Sequence, residues 1–211
     1  MRKLVQEIQR IQKTEIQQKI HQRLQEFASF QTSNNSPQDW FSELCFCLLT
    51  ANAKSKTACA VQKELGAEGF ATLSQERLVS VIRQNKHRFH NTKAKYIVTA
   101  REHQDIKEKI LKHNDETEMR EWLVANIKGY GYKEASHFLR NVGFQNLAIL
   151  DRHVLNHLYE NKIIQNISSS LNQKNYLFIE KKMEKLCRAL SMSQAELDMY
   201  LWYMKAGDVL K

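Results

Sequence analysis

Proline occurs once in this chain and glycine only six times in 211 residues. A proline in a helix interior costs about 3 kcal/mol, so its scarcity leaves room for many uninterrupted helices. No run of about 18 apolar residues is present, which removes the signature of a membrane-spanning helix. The opening Met1-Arg2-Lys3-Leu4 leads into a Gln-rich amphipathic pattern and carries no apolar signal-peptide core, so a soluble intracellular protein is expected. No segment alternates in the two-residue period of a strand, and neither an apolar heptad series nor an internal repeat is visible. Cysteine is limited to Cys45, Cys47, Cys59 and Cys187. Their spacing matches no zinc motif, and three lie in apolar helical stretches, so they read as small buried residues. Acidic residues are outnumbered: 23 Asp and Glu face 32 Lys and Arg, a formal charge of +9. That balance favours a polyanionic partner without separating DNA from RNA or an anionic membrane.

What is present is helical periodicity almost throughout. Residues 3–30 place Leu4, Ile8, Ile11, Ile16, Ile20, Leu24 and Phe27 mostly three to five positions apart. Turn-forming residues from Gln31 to Asp39, with the lone Pro37, predict a loop or subdomain boundary. A helix with Trp40, Phe41, Leu44, Cys45 and Leu48 on a core follows. Further windows lie near 54–65, 75–84, 92–111, 117–127, 134–142, 152–161, 173–190 and 194–204. Ser193 followed by Glu196 has the spacing of a capping box. The predicted fold is all-α, and 211 residues are enough to bury a core without disulfides or structural metal.

Two glycines, Gly129 and Gly131, sit between helical windows in Ile127-Lys128-Gly129-Tyr130-Gly131-Tyr132-Lys133. Glycine tolerates φ > 0 and lets backbone N–H groups approach a phosphate, so this is a candidate helix-hairpin-helix turn. Lys133 follows two residues later, and Asp151 follows Lys133 by 18 positions. Asp151 sits between the apolar run 147–150 and a helical window, which makes it a strong N-cap candidate.

This constellation resembles the helix-hairpin-helix DNA glycosylases that are also abasic-site lyases. Gly-Tyr-Lys-Glu-Ala-Ser-His-Phe-Leu-Arg-Asn-Val-Gly and Ile-Leu-Asp-Arg-His-Val-Leu are closest to the archaeal-type 8-oxoguanine branch, which also occurs in some bacteria. The resemblance extends from Leu-Thr-Ala-Asn near residue 50 to Lys211. It implies a helical barrel with the hairpin over 36–145, and a second subdomain from 1–35 plus 146–211, with DNA in the cleft between. It implies a monomer acting on double-stranded DNA with oxidised guanine, without a membrane partner, in the cytoplasm and nucleoid of a prokaryote. Relatives of the endonuclease III type carry a four-cysteine iron–sulfur loop near the C-terminus. Only Cys187 lies there, so no cluster and no other cofactor is expected, beyond a cation that hairpin carbonyls hold in some relatives.

The resemblance also implies roles. Lys133 would be the nucleophile, attacking C1′ of a flipped-out nucleotide and leaving a Schiff base that promotes β-elimination. A free lysine amine, with a reference pKa of about 10.4, must be desolvated or set beside other cations to act this way. Asp151 would stabilise positive charge on the sugar and help manage the amine proton, while still capping its helix. Lys128, Gly129, Gly131, Lys54, Lys56 and Arg88 would hold the DNA backbone. Asn52 would fill the gap left by the flipped nucleotide or contact the opposite base, although a turn Asn is an equal reading. Phe89 would wedge beside the lesion; on its own residues it reads at least as well as a ring tucked into the core under a solvated basic loop. Trp202 would stack against the base. The carboxylate of Lys211 would accept from the N7–H that 8-oxoguanine has and guanine lacks, unless this tail is simply the end of a packed helix.

Two readings remain beside the 8-oxoguanine one. An enzyme for oxidised pyrimidines would share the chemistry, and a non-catalytic hairpin module would share the glycines without needing Lys133 and Asp151. An all-α interaction scaffold would show only weak, salt-dependent DNA binding.

Overall fold

The computed structural model describes residues 2–32, 35–168, 171–209 and 211. Ser33 and Asn34 of the predicted loop, Met1 of the N-terminal segment and Leu210 of the C-terminal one lie outside the described residues. Among those described there are twelve α-helices, a single 3-10 turn and no strand. The chain divides into two compact units, one of Met1–Ser29 with Gly143–Lys211 and the other of Phe30–Val142.

The unit of Phe30–Val142 is built around α3 (Pro37–Thr50), whose residues from Trp40 to Thr50 are all buried. A helix enclosed on every side must satisfy its polar groups internally. Buried Glu43 does so by accepting from Gln62 Nε2 at 2.9 Å and from Asn141 Nδ2 at 3.0 Å. The only proline opens this helix, where a missing N–H costs nothing, behind an N-cap at Ser36 and a reciprocal capping box with Asp39. Around it stand α4 (Ser55–Thr72), α5 (Gln75–Gln84), α6 (His90–Ala100), α7 (Ile106–Ile110), α8 (Glu116–Asn126) and α9 (Tyr132–Asn141). Trp40 meets Phe138 of α9 edge to face, with ring centroids 6.2 Å apart.

The other unit contains α1 (Arg2–Ile11), most of α2 (Glu15–Thr32), α10 (Arg152–Glu160), α11 (Gln173–Leu190) and α12 (Gln194–Ala206). Leu4, Ile8, Ile20, Leu24 and Phe27 are buried, as their spacing predicts, whereas Ile11 and Ile16 of the same pattern are only half-buried.

The structure corrects four local expectations. The continuous pattern over 3–30 is broken between α1 and α2. Thr14 Oγ1 donates to the Ile11 carbonyl at 2.7 Å and accepts from the Ile16 N–H at 3.3 Å, so its side chain replaces the helical ladder there. The five-residue step from Ile11 to Ile16 is the trace this break leaves in the sequence. The window 92–111 splits into α6, a 3-10 turn at Arg101–His103 and α7. The window 54–65 continues to Thr72 across Gly66, whose φ of 60° and ψ of −178° interrupt the helix. Ser193 caps α12 through the Glu196 N–H at 3.1 Å, while the Glu196 carboxylate lies 3.3 Å from His21 Nε2.

Candidate functional site

The hairpin joins α8 to α9 through residues 127–131. Gly129 has φ +95°, and a Cβ on it would lie 2.5 and 2.7 Å from ring carbons of Tyr96. Glycine is required there twice over, by backbone angle and by the aromatic ring beneath it. Gly131 differs: its φ of −111° is open to other residues. Its N–H donates to Glu134 Oε2 at 3.3 Å, which starts α9. Between them Tyr130 is buried, and its hydroxyl donates to the Leu44 carbonyl of α3 at 2.9 Å. Burial drives the Tyr130 phenol well above its ordinary pKa, so it remains a neutral donor. The turn is thus nailed to α3 at Tyr130 and seated on α6 at Gly129, with Lys128 and Gly129 exposed.

Lys133 occupies the first turn of α9 with its side chain 24% exposed, its Nζ 3.7 Å from Glu134 Oε1. Next to it on α6 lies a residue that sequence reading did not single out. Lys93 is only 5% exposed. Burial pulls its pKa from 10.5 down to about 8, the Glu134 carboxylate opposing that shift and the Lys133 ammonium adding to it. Lys93 was visible only as one more lysine in the basic run 86–95, and no sequence signal separates a buried lysine from its solvated neighbours.

The last turn of α3 and the connection from α5 to α6 are tied together by His87. Its Nε2 lies 2.9 Å from the Leu49 carbonyl, and its Nδ1 accepts from the Phe89 N–H at 3.2 Å. One ring nitrogen donates and the other accepts, which only the neutral imidazole can do. Desolvation, the largest influence, lowers the His87 pKa in keeping with that role. Asn52, three residues past Leu49, is exposed with φ 59°, a left-handed turn conformation that Asn tolerates. Lys54 and Lys56 are exposed at the start of α4. Phe89 is 41% exposed rather than tucked into the core, with the Arg88 guanidinium 5.0 Å above its ring.

In the other unit Asp151 caps α10, accepting from the Val154 N–H at 2.8 Å. The buried run before it is held by α11. Ala148 N–H donates to Glu180 Oε1 at 2.8 Å, and the Tyr176 hydroxyl donates to the Ala148 carbonyl at 2.7 Å while accepting from Leu150 N–H at 3.2 Å. A carboxylate fixed this way is aimed by its own helix N-terminus. Two residues on, the His153 ring meets Trp202 of α12 edge to face at 5.3 Å. The indole Nε1 of Trp202 and Nδ1 of His153 are buried without a hydrogen-bond partner. Gly207, at φ 69°, ends α12, and Lys211 is partly exposed. The second unit therefore holds Lys128, Gly129, Gly131, Lys133, Asn52, Lys54, Lys56, Arg88 and Phe89, while Asp151, Trp202 and Lys211 belong to the first.

Chemically, the unit of Phe30–Val142 presents backbone N–H groups at a tight turn, a partly buried amine beside a second buried amine, and exposed cations with one exposed ring. Such a surface fits a phosphodiester chain. Three comparisons narrow this. Residues 20–192 match the family model described as 8-oxoguanine DNA glycosylase. The 8-oxoguanine DNA glycosylase/AP lyase of Methanocaldococcus jannaschii is 45% identical over 99% of both chains. A crystal structure of the M. jannaschii 8-oxoguanine glycosylase/lyase in complex with a 15mer DNA containing 8-oxoguanine superposes with a TM-score of 0.96, covering 99% of each chain. The 8-oxoguanine DNA glycosylase of Thermotoga maritima, 38% identical, superposes at 0.94 over 100% of this chain and 99% of that one.

Proposed function

Because the chain belongs to the 8-oxoguanine DNA glycosylase family, we propose that it excises 8-oxoguanine from duplex DNA and then cleaves the abasic strand. The observation that carries this reading is the full-length similarity to a relative solved with DNA containing 8-oxoguanine. The chemistry rests on Lys133. Its neutral amine attacks C1′ as the bond to the base breaks, and the base leaves with the electron pair and takes up a proton. Ring opening at C1′–O4′ then gives the iminium, and loss of a C2′ proton expels the 3′ phosphate. Asp151, held by its cap, faces the positive charge that develops on the sugar. The hairpin backbone at Gly129, with Lys128, Lys54, Lys56 and Arg88, grips phosphates, whereas the Gly131 N–H expected to do so is given to Glu134 Oε2 and starts α9 instead. A cation on the hairpin carbonyls would strengthen that grip; no other cofactor and no iron–sulfur cluster enters the reading.

Lesion recognition falls to Phe89, Asn52, Trp202 and the Lys211 carboxylate. The exposure of Phe89 supports a ring available to enter a base stack, and the unpartnered Trp202 Nε1 supports a wall with a spare donor. A monomer working on chromosomal DNA completes the proposal. No described helix is long and apolar enough to cross a membrane.

Borohydride trapping on duplexes carrying 8-oxoguanine, guanine or thymine glycol tests this. An adduct on 8-oxoguanine alone, lost in Lys133→Gln, is expected. Trapping on thymine glycol instead would overturn the substrate, and tight binding with no adduct would leave only a DNA-gripping module.

A further inference from the structure

Every cation assigned above to the DNA backbone, Lys54, Lys56, Arg88 and Lys128, lies in the unit of Phe30–Val142. The other unit carries a set of its own on α11. Lys174, Phe178, Lys181, Lys185 and Arg188 are exposed there and Lys182 is half-buried. With about 3.6 residues per turn, these six positions share one stripe about 120° wide and about 21 Å long. The opposite face is the buried one, with Tyr176, Ile179, Met183, Leu186 and Leu190. From that side Tyr176 and Glu180 hold the run before Asp151, so the stripe faces away from it. Its charge is not spent internally. Among the described residues only Arg188 of the stripe meets a carboxylate, Glu184 Oε2 at 3.8 Å, in a pair open to solvent. Lys182 is held without one: its Nζ donates to the Ile163 carbonyl at 2.8 Å and lies 5.0 Å from the centre of the Phe178 ring.

Resting on the reading of this chain as an enzyme of duplex DNA, we propose that the outer face of α11 is a second DNA-backbone contact, separate from the hairpin, that holds phosphates of undamaged duplex. One strand places a phosphate about every 3.4 Å of duplex axis, so about six lie along a stripe of this length, within reach of flexible lysine stems. An acidic protein partner would need an apolar pocket for an anchor beside the charges, and an anionic membrane would need several apolar residues on the same face. Phe178, 60% exposed, is the one large apolar side chain exposed on this helix, and the Lys182 ammonium lies over it. The ring props a cation and offers no pocket. Five cations without apolar continuity fit a chain of phosphates, whose neutralisation releases counterions whatever the base sequence. The unit that carries Asp151 thereby gains a backbone grip of its own, and the protein a hold on DNA that needs no lesion.

The test is fluorescence anisotropy on an undamaged duplex of about 30 base pairs, about three helical turns, titrated between about 50 and 200 mM salt. The combined variant Lys174→Gln, Lys181→Gln and Lys185→Gln removes three cations that have no hydrogen-bond or ion-pair partner among the described residues. Each phosphate contact contributes about −0.9 to the slope of log K against log salt, so the slope should become shallower by about 2–3. Over this salt range the unaltered protein should then lose about 15–60-fold more affinity than the variant. Removing the same charge at exposed Lys3, Lys13 and Lys112 should move the slope by less than about 1. A slope unmoved by the α11 variant, or moved as far by the scattered one, overturns the proposal. So does an unmoved slope with loss of binding to polyglutamate, which would assign the face to an acidic protein. If the triple variant fails to fold by circular dichroism, Lys181→Gln with Lys185→Gln decides in its place, with an expected change of about 2; an unmoved slope overturns the proposal. Borohydride trapping of the unaltered protein on 8-oxoguanine separates the two readings. Without an adduct the enzyme reading fails whatever the slopes show, whereas an adduct with an unmoved slope defeats only the α11 contact.

Discussion

Replacing Gly129 by alanine asks whether the hairpin is held by backbone angle, by its seat on Tyr96, or by both. The new methyl would sit 2.5 and 2.7 Å from Tyr96 ring carbons, closer than any real carbon contact, at a φ of +95°. The angle costs about 1–3 kcal/mol for a residue with a side chain. The overlap costs a further 1–3 kcal/mol or so, as overpacking does when a ring has to move. A loss of about 2–6 kcal/mol in unfolding free energy is therefore expected from urea denaturation. Tyr96→Ala separates the two contributions. In the double variant the overlap vanishes and the angle remains, so a double-mutant cycle should return a coupling of about 1–3 kcal/mol in favour of the pair. Gly131→Ala is the internal control. Its φ is ordinary and its methyl would meet only the movable end of Glu134 at 3.4 Å, so it should cost about 0.5 kcal/mol or less. Zero coupling between positions 129 and 96, or equal losses at 129 and 131, would refute the packing account of this turn.

Asp151→Asn should leave unfolding free energy within about 0.5 kcal/mol, because Asn accepts the Val154 N–H as well as Asp does. Trapping should nevertheless fall by about 100-fold or more with the loss of the charge; equal falls in stability and activity would reduce Asp151 to a cap. His87 has a lowered folded pKa, so the unfolded chain takes up its proton first as the pH drops below about 6.5. The stability His87 contributes is complete above that pH and is lost as pH falls through its folded value, and His87→Gln should remove one proton's worth of slope from that acid limb. Lys93 behaves in the alkaline range: with a folded pKa of about 8 against 10.5, its buried charge costs about 3 kcal/mol at neutral pH. That cost fades as pH rises from about 8 to 10.5, so Lys93→Met should gain stability at pH 7 and lose the gain near pH 10. A Lys93→Met protein less stable at pH 7 would refute this balance.

Helix content was legible because helix burial has a period: α5, α8, α10, α11 and α12 lie within two residues of their predicted windows. The breaks were less legible. Thr14 and Gly66 interrupt helices by local hydrogen bonding and by backbone angle; the first leaves only a single five-residue step in the apolar spacing, and the second falls beyond the window that the spacing marked. Membership of the family was written in the spacing of Gly129, Gly131, Lys133 and Asp151 as a set, although only Gly129 has both a backbone angle and a seat that exclude a side chain. That Asp151 is a helix cap was also readable, since the apolar run before it and the helical pattern after it mark the junction.

Other features depend on residues far apart in the chain, and tertiary structure alone decided them. Which hairpin glycine is indispensable depends on where Tyr96 lies, 33 residues earlier. Whether Phe89 is core or surface depends on His87 reaching back to Leu49. Which lysine in a basic run is solvated and which is buried depends on what α9 sets against α6. The helices, the turn and the Gly-x-Gly-x-Lys spacing were legible in the sequence, each a matter of neighbours along the chain. The burial of Lys93 and its lowered proton affinity were decided in space, because desolvation and Coulomb energy follow distance through the folded protein and not separation along the chain.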